Sequence, residues 1–424
     1  MPEIDISKEI KFITSREKMI RYLDGYSAER MEELDERRIK RPLVKSYILE
    51  HVGDAGRQRT VTEVLSEIGI ETQNIDENLY RVLDTKENRE YMGFLEVLTP
   101  RYFVFYTLHY SDKADRWVKN IVLNSPELDH VWLSGLTFNV LWQRVVQLTK
   151  PHRYASLLFV HESIYQIDSE IYEDENEEDE EISLSLEEGD VIEVVERRAS
   201  KFKLVDRISI VQEKLSKLQD LYSPLYAISQ LRFPSPVGRG GHDFYDNGKV
   251  TNKSGNFRDH RSHILYVQRI YDELMKMTEE KAWYSVYKET VTVPGQFQKL
   301  IGSPVTIKFE EPLSRETFDH WINSIFGRIN EPRFKLWGNP IFLGPKKIHV
   351  YGVDRHLWKP IFLELTDKHL IAIVPKGTCG NTIHRLICNI QRYIDPAAKA
   401  YIGDIEYKAM VDQSSQGVKY EPEY

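Results

Sequence analysis

Residues 347–387 read KIHVYGVDRHLWKPIFLELTDKHLIAIVPKGTCGNTIHRLI. Three strands fit this stretch, Lys347–Gly352, Pro360–Leu365 and Leu370–Val374, followed by a helix from Asn381 to Tyr393 that begins after Gly377 and Gly380. Upstream the order is a strand at Val305–Phe309, a helix at Glu316–Ile329 and a strand at Phe334–Leu336 that ends in Trp337-Gly338. Downstream, Lys399–Ile402 closes the unit as a strand.

Strand-helix-strand-strand-helix-strand is the split βαβ, ferredoxin-like order. A second, fainter copy runs through strands at Arg101–Leu108, Asp129–Leu133 and Ala155–His161 and helices at Lys113–Leu123 and Leu136–Leu148. Asp115-Arg116-Trp117-Val118 there matches Asp319-His320-Trp321-Ile322 in type and order. Further toward the N-terminus, Pro42–Leu49 reads as a helix, Thr60–Gly69 as a second helix with a Thr60/Glu63 capping box, Asn74–Thr85 as a third, and Gly93–Leu98 with Arg101–Tyr106 as a hairpin. Three short helices and a hairpin over residues 48–106 resemble a winged helix-turn-helix domain. The resemblance implies a third helix in the DNA major groove. That helix carries Asp76, Glu77 and Asp84 against Arg81 alone, a balance that DNA would repel.

The fold class expected is therefore α+β. The expected divisions are a winged-helix-like unit (1–100), an α/β unit (101–167), an acidic disordered loop (168–190), a helical middle with a Gly-rich loop (191–300), a ferredoxin-like domain (301–410) and a disordered tail (411–424). The acidic loop has thirteen Asp or Glu and no Lys or Arg, so without it the net charge moves from −9 to +4. Bulk acidity thus gives no argument against a polyanionic partner, because local patches decide. Two cysteines, Cys379 and Cys388, are too few for a disulfide framework and point to a reducing, cytoplasmic setting. No apolar stretch approaches the roughly 20 residues of a bilayer span, so no membrane partner is expected.

The region Arg333–Lys359 holds Arg333, Lys335, Lys346, Lys347, Arg355 and Lys359 against Asp354 alone, interleaved with Phe334, Trp337, Phe342, Tyr351 and Trp358. Strands present alternate residues on one face, which is how sheet-based binders set stacking rings beside phosphate-neutralising cations. The Gly238–Gly241 loop with Arg239, and Lys249 and Lys253 just beyond it, extend the candidate set to a second place where backbone amides could approach a phosphate. The expected nucleic-acid-binding residues are Arg239, Lys249, Lys253, Arg333, Lys335, Trp337, Lys346, Lys347, Arg355 and Trp358. The function expected is a non-catalytic nucleic-acid-binding component of a regulatory or mobile-element-defence assembly, with no cofactor and with room for a protein partner.

Two other readings stay open. Cys379 lies where a strand gives way to a helix, a setting that lowers a thiol pKa, and His384 follows it as a possible base of a hydrolase or nuclease. His242, His260 and His263, with acids nearby, form the other candidate enzyme cluster, although no recognised metal-ligand spacing appears. A protein-interaction scaffold is the second alternative.

Overall fold

A computed structural model of the chain describes residues 10–36, 41–53, 59–85, 89–162, 195–196, 199–288, 298–326 and 333–422. The acidic loop expected at 168–190 lies outside the described residues. From the N-terminus the elements are α1 (Arg16–Asp35), β1 (Lys45–His51), α2 (Val61–Glu67), β2 (Ile70–Asp76), β3 (Leu79–Asp84), β4 (Glu90–Val97) and β5 (Tyr102–Thr107). Next come α3 (Ser111–Asn124), β6 (Leu128–His130), α4 (Gly135–Leu148), β7 (Tyr154–Glu162), β8 (Val195–Glu196), β9 (Ala199–Arg207) and α5 (Ile208–Gln219). Then follow β10 (Ile228–Pro234), β11 (Gly241–Tyr245), β12 (Lys249–Asn252) and the long α6 (Phe257–Ala282).

These strands form one large sheet in the order β2-β3-β4-β5-β1-β12-β11-β10-β7-β9-β8, with β6 paired to the end of β1. Every pairing in it is antiparallel. Both faces are covered. Tyr47, Leu49, Phe103 and Phe105 pack with α2 and α3, whereas Ile48, Val104 and Tyr106 on the opposite face pack with α1, α4 and α6.

The winged-helix reading fails here. Its first helix is β1, in the middle of the sheet and buried at every position, so it lacks the in-out alternation that marks a strand in sequence. Its third helix is the β2–β3 hairpin, turned at Asn78, whose φ of 57° is the left-handed conformation that asparagine tolerates. Of the three expected helices only α2 forms, with its Thr60/Glu63 capping box in place. The stretch 101–167 is not a separate unit, because β5 pairs with β1 and β4. Nor is 191–300 only helical, since it gives β9 to β12 to the large sheet.

The second sheet is built from β13 (Trp283–Lys288), β14 (Gln298–Ile301), β15 (Val305–Lys308), β16 (Leu336–Gly344), β17 (Lys347–Asp354), β18 (Lys359–Thr366), β19 (His369–Pro375), β20 (Lys399–Ile402) and β21 (Ile405–Glu406). Its helices are α7 (Arg315–Phe326), α8 (Asn381–Tyr393) and α9 (Tyr407–Gln416). The order is β16-β17-β18-β19-β15-β20-β21, and β13, paired with β14, joins the end of β19 in parallel. Here burial alternates along β17, β18, β19 and β20, so one face is packed and the other is open. The packed face carries Ile348, Val350, Ile361, Leu363, Leu370 and Ala372 against α7 and α8. The tail expected as disordered instead forms α9, and Val418 and Tyr420 beyond it pack on the first core.

α8 lies between the two sheets and is buried from Asn381 through Gln391. One side, Ile383, Leu386, Ile387 and Ile390, fills the core of the small sheet. The other side is polar and faces the large one. Arg385, with 0% exposure, binds Asp129 of β6 and Asp354 of β17 (2.5 Å) and donates from Nε to the Phe334 carbonyl (3.0 Å). Asn381 donates to the His130 carbonyl (2.8 Å), and Arg392 bonds Glu162 and Asp246 (2.7 Å). A charge removed from water is tolerated only when paired, and removing one member of such a pair costs about 3–5 kcal/mol. Arg385→Ala should therefore lower stability by about that much in guanidinium unfolding, whereas Lys347→Ala, which breaks the surface pair with Glu364, should cost under about 1 kcal/mol.

Candidate nucleic-acid interface

The open face of the small sheet is set by strand register. Trp337 stands opposite Val353, Asn339 opposite Tyr351, and Tyr351 opposite Phe362, so these side chains share one surface across β16, β17 and β18. Three rings look outward there: Trp337 is 56% exposed, Tyr351 66% and Phe362 37%. Tyr351 and Phe362 meet edge to face with centroids 5.5 Å apart. The same face continues over His369, Ile371 and Ile373 of β19, Thr306 and Lys308 of β15, and Lys399 and Tyr401 of β20. Lys308 Nζ sits 5.0 Å over the Tyr401 ring. Lys347 and His349 flank Glu364, each with a nitrogen 2.8 Å from its Oε2, and these contacts hold the Glu364 carboxyl down at about 2. Lys308 and Lys399 are exposed.

Of the ten residues expected from sequence, Trp337 and Lys347 lie on this surface and Trp358, 59% exposed, lies on the β17–β18 turn. Lys346 bonds Asp367 (3.0 Å) and the Leu313 carbonyl (2.9 Å), while Arg355 is half-buried in that turn. Arg333 packs over the Tyr393 ring, 5.3 Å from its centroid, and bonds its hydroxyl. Lys335 is a correction. It is buried, with Nζ 3.3 Å from Asp129 and bonded to the Val122 and Leu128 carbonyls, and burial lowers its pKa although Asp129 opposes that. Lys249 and Lys253 are also buried, paired with Asp115 of α3 (2.9 Å) and Asp243 of β11 (3.3 Å). These three lysines are buried in ion pairs and are not surface cations open to a phosphate. Arg239 is exposed on the β10–β11 turn of the large sheet, 3.5 Å from Asp35. Lys308, Phe362, Lys399 and Tyr401 were missed, although their places follow once the strands are written out with alternating faces.

The two candidate catalytic clusters are interior. Cys379 and His384 have different partners: Cys379 Sγ lies 3.3 Å from Glu50 Oε2, and His384 Nδ1 lies 2.5 Å from the Tyr407 hydroxyl. Burial pushes the Cys379 thiol up, and Glu50 adds to the rise, the reverse of an activated nucleophile. Burial also lowers His384 to about 3. Glu50 is itself fully buried. Burial alone would raise its carboxyl, but the Arg101 guanidinium, 2.6 Å away, and the His356 ring hold it at about 2.

His242, His260 and His263 do come together. The His242 ring lies 5.2 Å from that of His260 and 4.9 Å from that of His263, all three are buried, and His263 stacks on Tyr420 at 4.9 Å. His260 Nε2 is 2.7 Å from the Ser46 hydroxyl. Burial, reinforced by the neighbouring imidazole, lowers His260 to about 3 and holds His242 and His263 well below their usual range.

The chain belongs to the MJECL33-like protein family, whose model it matches over residues 8–409. It is 24% identical over 426 residues to the uncharacterized protein MJECL33 of Methanocaldococcus jannaschii, covering 93% of this chain and 96% of that one. No solved structure matches it. The matched span contains both the open sheet face and the histidine triad. Because the triad is neutral when folded and takes up protons when unfolded, the unfolded state binds more protons below about pH 6.5. Stability should therefore be level above that pH and fall as pH drops toward 3, with His260 alone, lowered to about 3, contributing a loss on the order of 2 kcal/mol by pH 5. Denaturant midpoints measured from pH 7.5 to 4.5 should show this decline, and His260→Asn should make it shallower.

Proposed function

We propose that this member of the MJECL33-like protein family binds single-stranded nucleic acid on the open face of its C-terminal sheet. The observation that carries the reading is the outward row Trp337, Tyr351 and Phe362 on three adjacent strands, with Lys347, Lys308 and Lys399 on the same surface. Large rings grouped on one exposed face are a feature of partner surfaces. Bases supply flat faces for the rings and phosphates supply charge for the lysines. A duplex keeps its bases stacked inside, so a single strand fits the rings better.

The topology supports a ferredoxin-like reading of this unit. Strands β20-β15-β19-β18 are neighbours in that order, all antiparallel, with α7 following β15 and α8 following β19, and the β16–β17 hairpin extends the sheet beyond β18. Sheets of this kind with one bare face present rings to splayed bases. A protein-binding surface is the alternative, favoured at the far end of β16, where Ile341, Phe342 and Leu343 are exposed together.

Fluorescence anisotropy with labelled poly-dT and poly-U oligonucleotides distinguishes the two. Binding should weaken steeply with salt, and Trp337→Ala or Tyr351→Ala should each lose about 5- to 150-fold in affinity, the equivalent of 1–3 kcal/mol per stacked base. Lys335→Met should leave the salt dependence unchanged, because that lysine is internal. Absence of binding at low salt would remove the nucleic-acid reading and leave the protein-binding one.

A further inference from the structure

Where the two sheets meet, three side chains from distant parts of the chain point at one spot. Glu50 comes from β1, His356 from the β17–β18 turn, and Cys379 from the loop before α8, and all three are buried. Their donor atoms lie within 4.8 Å of one another, and among the described residues this is the group of metal-ligating side chains that converges so. Glu50 Oε2 is 3.3 Å from Cys379 Sγ and 3.6 Å from His356 Nε2. For tetrahedral zinc, bonds of about 2.3 Å to sulfur and about 2.0 Å to oxygen and nitrogen place these pairs about 3.5 Å and about 3.3 Å apart. The two pairs that share Glu50 are therefore close to ligand spacing as they stand, and the Cys379–His356 pair, within 4.8 Å, has to draw in around an ion.

His356 supplies an independent observation. It has 0% exposure, yet neither ring nitrogen has a hydrogen-bond partner. Buried imidazoles are rarely left so; His242 shares that state, but among the described residues it is at His356 that a carboxylate and a thiol converge on the ring. The backbone that puts it there is also unusual: Leu357 and Trp358, next in sequence, take φ values of 64° and 52°, and the Leu357 amide is anchored on the Pro126 carbonyl (2.9 Å). Non-glycine residues are strained in that region and persist where the surroundings enforce them, typically at functional sites.

We propose that Glu50, His356 and Cys379 form a binding site for a zinc-class divalent metal ion. The surrounding groups already orient the ligands. Arg101 bonds Glu50 through Oε1 (2.6 Å), leaving Oε2 for the ion, and is itself held by both oxygens of Glu279 (2.6 and 3.0 Å). The Asn381 amide points at Cys379 Sγ (3.4 Å) and the Gly380 amide at Glu279 (3.0 Å). Charge balances as well. Glu50 and Glu279 both lean on Arg101, which leaves one negative charge in excess; a divalent ion bound as the Cys379 thiol releases its proton to solvent brings the group to neutrality. Three protein donors leave the fourth tetrahedral position to water.

The test uses the full-length chain loaded with Zn2+ or Co2+, desalted, and analysed for metal content and absorption. The expected result is one ion per chain, with a Co2+ spectrum that shows thiolate-to-metal charge transfer and tetrahedral d–d intensity. Cys379→Ser should abolish the charge-transfer band, His356→Ala should lower affinity at least tenfold, and Cys388→Ser, which alters the other cysteine in α8, should keep both ion and band. Wild-type protein that is folded but retains no ion, or a Co2+ spectrum without the thiolate band, would overturn the assignment without any variant being needed. A Cys379→Ser protein that keeps the full band would overturn it too.

Discussion

A guanidinium withdrawn completely from water must find carboxylates, and Arg385 finds one on each side of itself. Asp129 belongs to the large sheet and Asp354 to the small one, so satisfying the arginine requires both halves of the chain to close on α8. Lys335 joins the same knot through Asp129, and Thr382 bonds the far oxygen of Asp354. Neither sheet can leave without stranding a charge. The hydrophobic contacts of α8 give the small sheet its core, but it is the polar side of this helix that ties that core to the rest of the molecule.

This closure explains how the two sheets differ. The large one is sandwiched by helices on both faces. The small one spends its packed face on α7 and α8, and among the described residues no helix covers its other face. Trp337, Tyr351 and Phe362 are thus left outside by the architecture, and the proposed nucleic-acid surface follows from it. The same closure drives the β17–β18 turn into the seam, where Leu357 docks on Pro126 and His356 reaches Glu50 and Cys379. A cleft of 1040 Å3 elsewhere on the molecule is less promising for phosphates, because Arg16 and Arg261 in its wall both pair with Glu96.

Legibility in the sequence tracked contact with water. β17, β18 and β19 could be read because one face is solvated and the other packed, whereas β16, expected at Phe334–Leu336, runs from Leu336 to Gly344; α2 could be read because Thr60 and Glu63 announce its start. β1 could not, since a strand buried on both sides shows no alternation, and its KSYILEH sequence buries Lys45, Ser46, Glu50 and His51 along with Tyr47, Ile48 and Leu49. Lys335, Lys249 and Lys253 looked like surface cations for a related reason: nothing in the local sequence reveals a partner such as Asp129, some two hundred residues away. Glu50, Arg101 and Glu279 were invisible as a group because three-dimensional closure alone assembles them. The outward turn of Trp337 was likewise undecided until the β16–β17 register fixed it.

The claim beneath all of this is that α8 makes one cooperative body of two sheets. Native-state hydrogen exchange in increasing guanidinium measures it most directly. Slow amides of β1 and β5 in the large sheet and of β18 and β19 in the small one should converge on a single opening free energy. Exchange of β18 and β19 through a distinctly lower-energy opening, while β1 and β5 stay protected, would contradict it.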